Sequence, residues 1–379
     1  MFRIWRNFQA FFNLPRVEKQ IVIYSEGAGY ASYFNPILAA LPQYFAPPVI
    51  YVTSSEDDPL YRDPPMGVRC FYIGDGILRT AFFSTLDADI LVMTMPDLET
   101  FHIKRSAKNV HYAYIHHAIV STHMVYREAA FDHFDTIFCT GPHHIDETRK
   151  REALASLPSK RLVEAGYGRL DTILAKATAD GRPKPHSQPT ILIAPSWGAE
   201  GLIETHGLQI VEMLLNSGMR VILRPHPRTR QYAEASVASI LERFKDEADF
   251  LFDEEMDAIT SLLEADLMVS DWSGAALEFA FGLARPVVFV DGKRKVNNPN
   301  YEKLEIEPLE VFIRDEIGVL VPEKNLDRLP EIVKEALADQ QLSPENLKKL
   351  SKKWVFNLGS SGDVVAQALV EILQHRHAE

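Results

Sequence analysis

Short apolar runs alternate with amphipathic stretches along almost the whole chain. Residues 20–25, 48–54, 69–73, 89–95, 110–116, 136–140 and 161–165 are brief and rich in β-branched and aromatic side chains, which predicts strands. Helical spacing of apolar positions separates several of them, at 34–41, 76–86, 143–157 and 169–179. Residues 178–189 then break the rhythm with three prolines and a glycine, marking a linker. A second series follows, with strands at 190–194, 220–224, 250–252, 267–270 and 286–290. Helices are expected at 208–215, near 231–245, at 258–264 and after Ser273. The rhythm is that of a parallel sheet covered by helices on both faces.

The fold class expected is therefore α/β, with two facing, doubly wound Rossmann-like domains and a cleft between them, the GT-B architecture. The expected division is a first domain over 17–180, a linker over 181–189 and a second domain over 190–345, with helices over 346–379 able to cross back onto the first domain. Ligands of such a pair lie at the C-terminal ends of the strands.

Composition narrows the partners. The 379 residues are 46% hydrophobic and carry a net charge of -12 without a long Lys/Arg block, which argues against nucleic acid as a partner. Cys70 and Cys139 both sit in apolar runs, so a disulfide framework is not expected and a reducing, cytoplasmic setting is. No run of eighteen apolar residues spans a bilayer. Residues 1–16 cluster Phe2, Trp5, Phe8, Phe11 and Phe12 beside Arg3, Arg6 and Arg16. Such a segment either lies in an anionic membrane interface, giving peripheral contact with the inner face of the cell membrane, or packs on the first domain as an arm.

Four constellations carry candidate chemistry. Val269 to Ala280 reads as strand, polar corner and helix, with Ser273 at the N-cap and the small residues Gly274, Ala275 and Ala276 letting an anion approach the first turn. Ser270 and Asp271 belong to that corner, and Glu278 lies one turn along the helix. Glu278 is expected either to meet a sugar hydroxyl or, with Ser273 merely capping a core helix, to reach solvent or pair with a structural arginine. Arg224, His226, Arg228 and Arg230 follow an apolar strand and make a cationic pocket suited to a diphosphate. Ser196 follows the first strand of the second domain, where it can touch a base or phosphate, and the turn holding Gly27 and Gly29 makes room for substrate on the other side. Eight of the thirteen histidines fall between His102 and His144, in spacings that do not suit zinc. Adjacent strand residues face opposite sides, so only one ring of the His116-His117 pair can serve as a general base.

Together these residues resemble the CDP-glycerol glycerophosphotransferase family, GT-B enzymes that include the teichoic-acid primases and polymerases. Ile115-His116-His117-Ala118 resembles the family's Trp-His-Gly segment, which implies His117 as catalytic base. Pro195-Ser196-Trp197-Gly198 resembles Pro-Thr-Trp-Arg, His226-Pro227 resembles His-Pro, and Ser270-Asp271-Trp272-Ser273-Gly274 with Glu278 resembles Ser-Asp-Tyr-Ser-Ser with a later aspartate. The chain departs from the pattern at Gly198, Gly274 and Glu278, and lacks the tryptophan before the base.

The resemblance implies a transferase that moves a polyol phosphate from a CDP-alcohol onto a hydroxyl of a cell-surface glycan or its lipid-linked precursor. No cofactor is expected. His117 and His226 would be catalytic; Ser196, Arg224, Arg228, Ser270, Asp271, Ser273, Gly274 and Glu278 would bind the donor; Gly27, Gly29 and His116 would line the acceptor side. The alternatives are a nucleotide-sugar glycosyltransferase for capsule or lipopolysaccharide, and a non-catalytic binding scaffold on the same fold. The sequence says nothing of oligomeric state.

Overall fold

The computed structural model describes residues 2–101, 103–179, 181, 186–198, 200–226, 228–229, 233–254 and 259–378. Much of the linker, with Pro227, Arg230 and the starts of the helices expected near 231 and at 258, lies outside them.

Two all-parallel sheets carry the described residues. The first contains β1 (Ile21–Ser25), β2 (Val49–Thr53), β3 (Val68–Tyr72), β4 (Ile90–Met93), β5 (His111–Ile115), β6 (Thr136–Cys139) and β7 (Arg161–Glu164), in the order 3-2-1-4-5-6-7. The second contains β8 (Thr190–Ile193), β9 (Arg220–Leu223), β10 (Phe250–Phe252), β11 (Leu267–Ser270), β12 (Val287–Asp291) and β13 (Gly318–Pro322), in the order 10-9-8-11-12-13. Central strands such as β1, β2, β4, β8 and β11 are buried along their whole length, which is why their sequences read as continuous apolar runs. The sequence pattern left β13 unassigned. Its apolar core is only three residues long between Gly318 and Pro322, and pairing with β12 makes it a strand.

Strand order reverses between β1 and β4 in the first sheet and between β8 and β11 in the second. In open parallel sheets the crevice for ligand opens at such reversal points, at the C-terminal strand ends. The residues so placed are Glu26, Gly27 and Thr94 on one side, and Ser196, Asp271 and Ser273 on the other.

The two halves are packed together. The helix Gly274–Leu283 lies on the helix Gly168–Ala179, close enough that a side chain on Gly282 would strike Leu170 at 2.9 Å. The helix Pro344–Trp354 packs on Gly274–Leu283, and the final helix, Ser361–Ala378, then lies along Ala31–Ala40 of the first half. Asp171 anchors that return by accepting hydrogen bonds from the backbone N–H of Gly359 and of Ser361 and from the Ser361 hydroxyl.

The helix Phe2–Phe12 packs beside β3 and the helix Ile77–Thr85. Phe11 is fully buried there among Phe71, Phe82 and Phe12, while Phe2 is 80% exposed and Trp5 47%. The segment is thus an arm through its C-terminal half and leaves aromatic surface at its tip. Among the described residues no helix is long and apolar enough to cross a membrane.

Candidate active site

His117 stands just past the end of β5, half-buried, walled by tyrosines. Tyr30 and Tyr126 meet its ring edge-on with centroids 5.8 and 5.7 Å away. Its Nδ1 lies 2.8 Å from the Thr94 carbonyl oxygen at the end of β4 and 3.2 Å from the Tyr114 hydroxyl. A carbonyl can only accept, so Nδ1 carries the proton and Nε2 is left with its lone pair. The Tyr126 hydroxyl, at 3.5 Å, is the partner of Nε2. Burial pulls the ring below the ordinary histidine pKa, opposed by the Thr94 carbonyl and the Glu278 carboxylate, so the neutral, proton-accepting form prevails at neutral pH.

The loop that follows is held from both halves of the molecule. His143 and His144, on the helix Pro142–Ala155, bond the carbonyls of Ile119 and Val120 at 2.8 and 2.9 Å. Glu147 of the same helix takes the Thr122 N–H and hydroxyl. From the second half, Glu310 accepts from the Ser121 N–H and hydroxyl, and Asn298 donates to the His123 carbonyl. Val120 lies 3.6 Å from where a side chain on Gly274 would begin, so the base and the polar corner meet at the cleft.

His116 faces the other way. It is 1% exposed, stacked on His144 with centroids 3.7 Å apart, and its neutral form is enforced by burial and by His144 and His143 beside it. The acceptor-side role expected for His116 is therefore corrected: it is a core residue beneath the loop. His117, the next residue, turns instead toward Tyr30, Tyr126 and Thr94.

The second half contributes cations. The Arg228 N–H donates to His226 Nδ1 at 3.1 Å, which leaves Nε2 of the neutral ring as a donor. Burial first, then Lys295, Arg228 and Arg224, push the His226 pKa down to about 4, so the ring is neutral near pH 7. Arg228 and Lys295 stand over the Trp197 ring at 4.6 and 4.8 Å. Burial also lowers the Lys295 pKa, with Asp271 opposing and Arg228 adding to it. Ser273 caps Gly274–Leu283 in extended conformation, its hydroxyl accepting from the Ala275 N–H at 3.3 Å. Arg224, His226 and Arg228 follow β9, and Ser273 and Gly274 follow β11, at the C-terminal strand ends of the second sheet; Gly27 and Gly29 follow β1, and His117 follows β5, at those of the first.

Four residues expected at the donor hydrogen-bond within the protein. The Ser196 N–H and hydroxyl both bond Asp271, at 2.7 and 2.9 Å, tying the loop after β8 to the corner after β11. The Ser270 hydroxyl donates to the Ala194 carbonyl at 2.9 Å. Glu278 accepts from the Tyr167 hydroxyl and from Arg169 Nε, each at 2.7 Å, and Arg169 continues to Ser32 Oγ. The structural arginine, and not a sugar hydroxyl, is its partner.

Glu26, Tyr30, Thr94, Tyr126 and Lys295 were not singled out from the sequence. A lone charge directly after an apolar strand is the signal that Glu26 offers, and Lys295 ends the basic run Lys293-Arg294-Lys295, four residues past the end of β12.

The family model for CDP-glycerol:poly(glycerophosphate) glycerophosphotransferase matches residues 79–295, more than half of the chain. The chain belongs to that family. As a member it is an enzyme of the envelope-polymer transferases, moving a polyol phosphate from a CDP-alcohol. Among solved structures the chain is similar to the wall teichoic acid polymerase TagF, at 12% identity, covering 99% of this chain and 95% of that one with a TM-score of 0.61. It is also similar to the UDP-GlcNAc 2-epimerase of Neisseria meningitidis bound to UDP-GlcNAc, at 13% identity, 93% and 100% coverage and a TM-score of 0.62. The Methanocaldococcus jannaschii UDP-GlcNAc 2-epimerase in complex with UDP-GlcNAc and UDP follows at 14% identity, 93% and 99% coverage and 0.59. At such identities these likenesses show the two-domain fold alone. No curated protein matches the chain.

Proposed function

We propose that this enzyme transfers glycerol phosphate from CDP-glycerol onto a hydroxyl at the end of a glycerophosphate chain or a lipid-linked glycan, with His117 as general base. The observation that supports this is the setting of His117: its Nδ1 lies 2.8 Å from the Thr94 carbonyl oxygen, which fixes the proton there, and its Nε2, 3.5 Å from the Tyr126 hydroxyl, keeps a lone pair to accept one.

The acceptor hydroxyl gives its proton to Nε2 as its oxygen attacks the phosphorus that bears glycerol. The bond from that phosphorus to the bridging oxygen breaks, and CMP leaves with the charge. His226 Nε2–H, Arg224, Arg228, Lys295 and the first-turn N–H groups after Ser273 are the donors that meet that charge. Each well-placed donor contributes on the order of 3 kcal/mol to the transition state. The deciding experiment follows CMP release with CDP-glycerol and a short glycerophosphate oligomer. Release that does not depend on the oligomer, or none at all, would reject this reaction.

We further propose that the protein meets an anionic membrane surface through the tip of Phe2–Phe12. Phe2 and Trp5 are the exposed aromatic residues there, with Ile77 87% exposed on the neighbouring helix. Because Phe11 is core, deleting the segment would unfold its socket, and the clean test is Phe2→Ser with Trp5→Ser. Flotation with anionic vesicles should be lost in this variant while thermal stability stays. Equal flotation of the variant and the parent would remove the membrane role.

A further inference from the structure

Glu26 is an acidic side chain at the strand reversal of the first sheet that the reaction above leaves unused. It follows five fully buried residues of β1, and its Oε1 is buried without a hydrogen-bond partner. Burial pushes its carboxyl up to about 7, and Arg79 and Arg228 oppose this through space. A buried carboxyl oxygen without a partner is costly, so the site is shaped for something that supplies one.

Its neighbours say where it points. The charge of Glu26 is felt by Tyr30, Tyr114 and Tyr126. These are the same three residues that surround His117, two against the ring and one at Nδ1. Arg228, across the cleft in the other half, acts on both Glu26 and Tyr30. Glu26 opens the turn that carries Tyr30, and the Tyr30 ring meets that of His117 with centroids 5.8 Å apart, so the carboxyl and the base stand at the same end of the first sheet. An anionic phosphate is repelled by a carboxylate and served by the opposite wall. A hydroxyl, which donates, fits Glu26.

Resting on the reaction proposed above, we infer that Glu26 is an acceptor-binding residue: it accepts a hydrogen bond from the hydroxyl adjacent to the attacking one and so holds a terminal vicinal diol with its other oxygen at Nε2 of His117. The acceptor class is then a chain whose free end is a glycol, as the end of a glycerophosphate oligomer is, and a terminus with a single hydroxyl is a poor substrate.

The test compares two synthetic acceptors with CDP-glycerol as donor: a glycerophosphate oligomer, and the same oligomer ending in propane-1,3-diol phosphate, which lacks the adjacent hydroxyl. At pH 8.5, where the Glu26 carboxyl is ionised, the parent enzyme should favour the diol terminus by roughly 10- to 100-fold in kcat/KM, the range for one hydrogen bond to a charged group. Glu26→Ala should erase that preference and leave the stabilisation by CDP-glycerol unchanged, and Glu26→Gln, whose amide oxygen still accepts, should keep part of it. Thermal unfolding of both variants checks the fold. A preference undiminished in Glu26→Ala overturns the proposal, as does loss of donor binding in both variants, or a parent enzyme that uses the two acceptors equally or neither. Absence of stabilisation by CDP-glycerol in the parent would instead strike the donor assignment. In that case the diol preference is read from direct binding of the two oligomers, and equal binding to parent and Glu26→Ala overturns the proposal.

Discussion

His116 and His117 are neighbours in sequence and opposites in environment. His116 lies flat against His144 in a dry stack, neutral because nothing solvates its charge. His117 lies among tyrosine hydroxyls with one nitrogen tied to Thr94 and the other turned to the cleft. The same contrast runs through the second half, where Ser196, Ser270 and Asp271 bond one another or the backbone while His226, Arg228 and Lys295 gather round Trp197. A polar residue at a strand end either braces the loops or meets the ligand. The two roles separate by experiment, since braces set stability and cleft residues set turnover.

The largest expected effect falls on the base. His117→Ala should lower kcat by about 10²–10⁴-fold, the contribution of a positioned general base, with CDP-glycerol affinity held within a few-fold. His116→Ala should do the reverse and lower the unfolding free energy through the cavity left in the stack, with turnover per folded molecule nearly kept. An inactive but fully stable His116→Ala would exchange the two assignments.

Next in size is the pair behind the corner. Arg169→Ala leaves the Glu278 carboxylate buried beside Tyr167 alone and should destabilise by about 3–5 kcal/mol, as breaking a buried ion pair does. Denaturant titration measures it. A stable variant with weakened nucleotide binding would return Glu278 to the ligand.

His226→Ala or Arg224→Ala should weaken CMP-containing ligands by roughly 1–3 kcal/mol, one charge-assisted hydrogen bond, with stability little changed. Calorimetry with CMP reads this directly, and unaltered affinity in both variants would dissolve the cationic pocket.

How far this division was legible in the sequence depends on how far apart the partners are. The βαβ rhythm, the N-cap at Ser273 and the side of the strand taken by His117 are local matters, settled by residues within a turn or a strand of one another. The Ser196–Asp271 brace joins positions 75 apart and the Arg169–Glu278 pair positions 109 apart, and each looks like ligand chemistry from its own segment. Glu278 could not be assigned from its helix because the arginine that neutralises it belongs to the other half of the molecule. Glu26 was silent for another reason: a single charge after an apolar strand has no pattern around it, and only the tyrosines gathered from three separate segments give it meaning.

Acid probes the histidine stack. His144 is held neutral by burial and by His143, its pKa pushed down to about 3, while Glu147 and the Val120 carbonyl oppose this. Its Nδ1 accepts from the Thr140 N–H, its Nε2 bonds the Val120 carbonyl, and His116 covers its face. In the unfolded chain the same ring takes a proton near pH 6.5. Between that pH and about 3 the unfolded state binds more protons, so the stabilisation from a neutral His144 is complete above pH 6.5 and declines as the pH falls toward 3. His116 and His143, also lowered by burial, add to the slope. His123 opposes it: burial lowers its pKa, but Glu147, 3.4 Å away, the Ile306 carbonyl and Glu310 together raise it on balance, so its contribution is present in acid and fades as the pH rises. Unfolding free energies measured from pH 7 to 4 should therefore fall, and fall less steeply in His144→Gln, whose amide can still bond Val120 but cannot take a proton. Identical slopes in the two proteins would mean that the stack is already hydrated or charged, and the contrast between His116 and His117 would then rest on geometry alone.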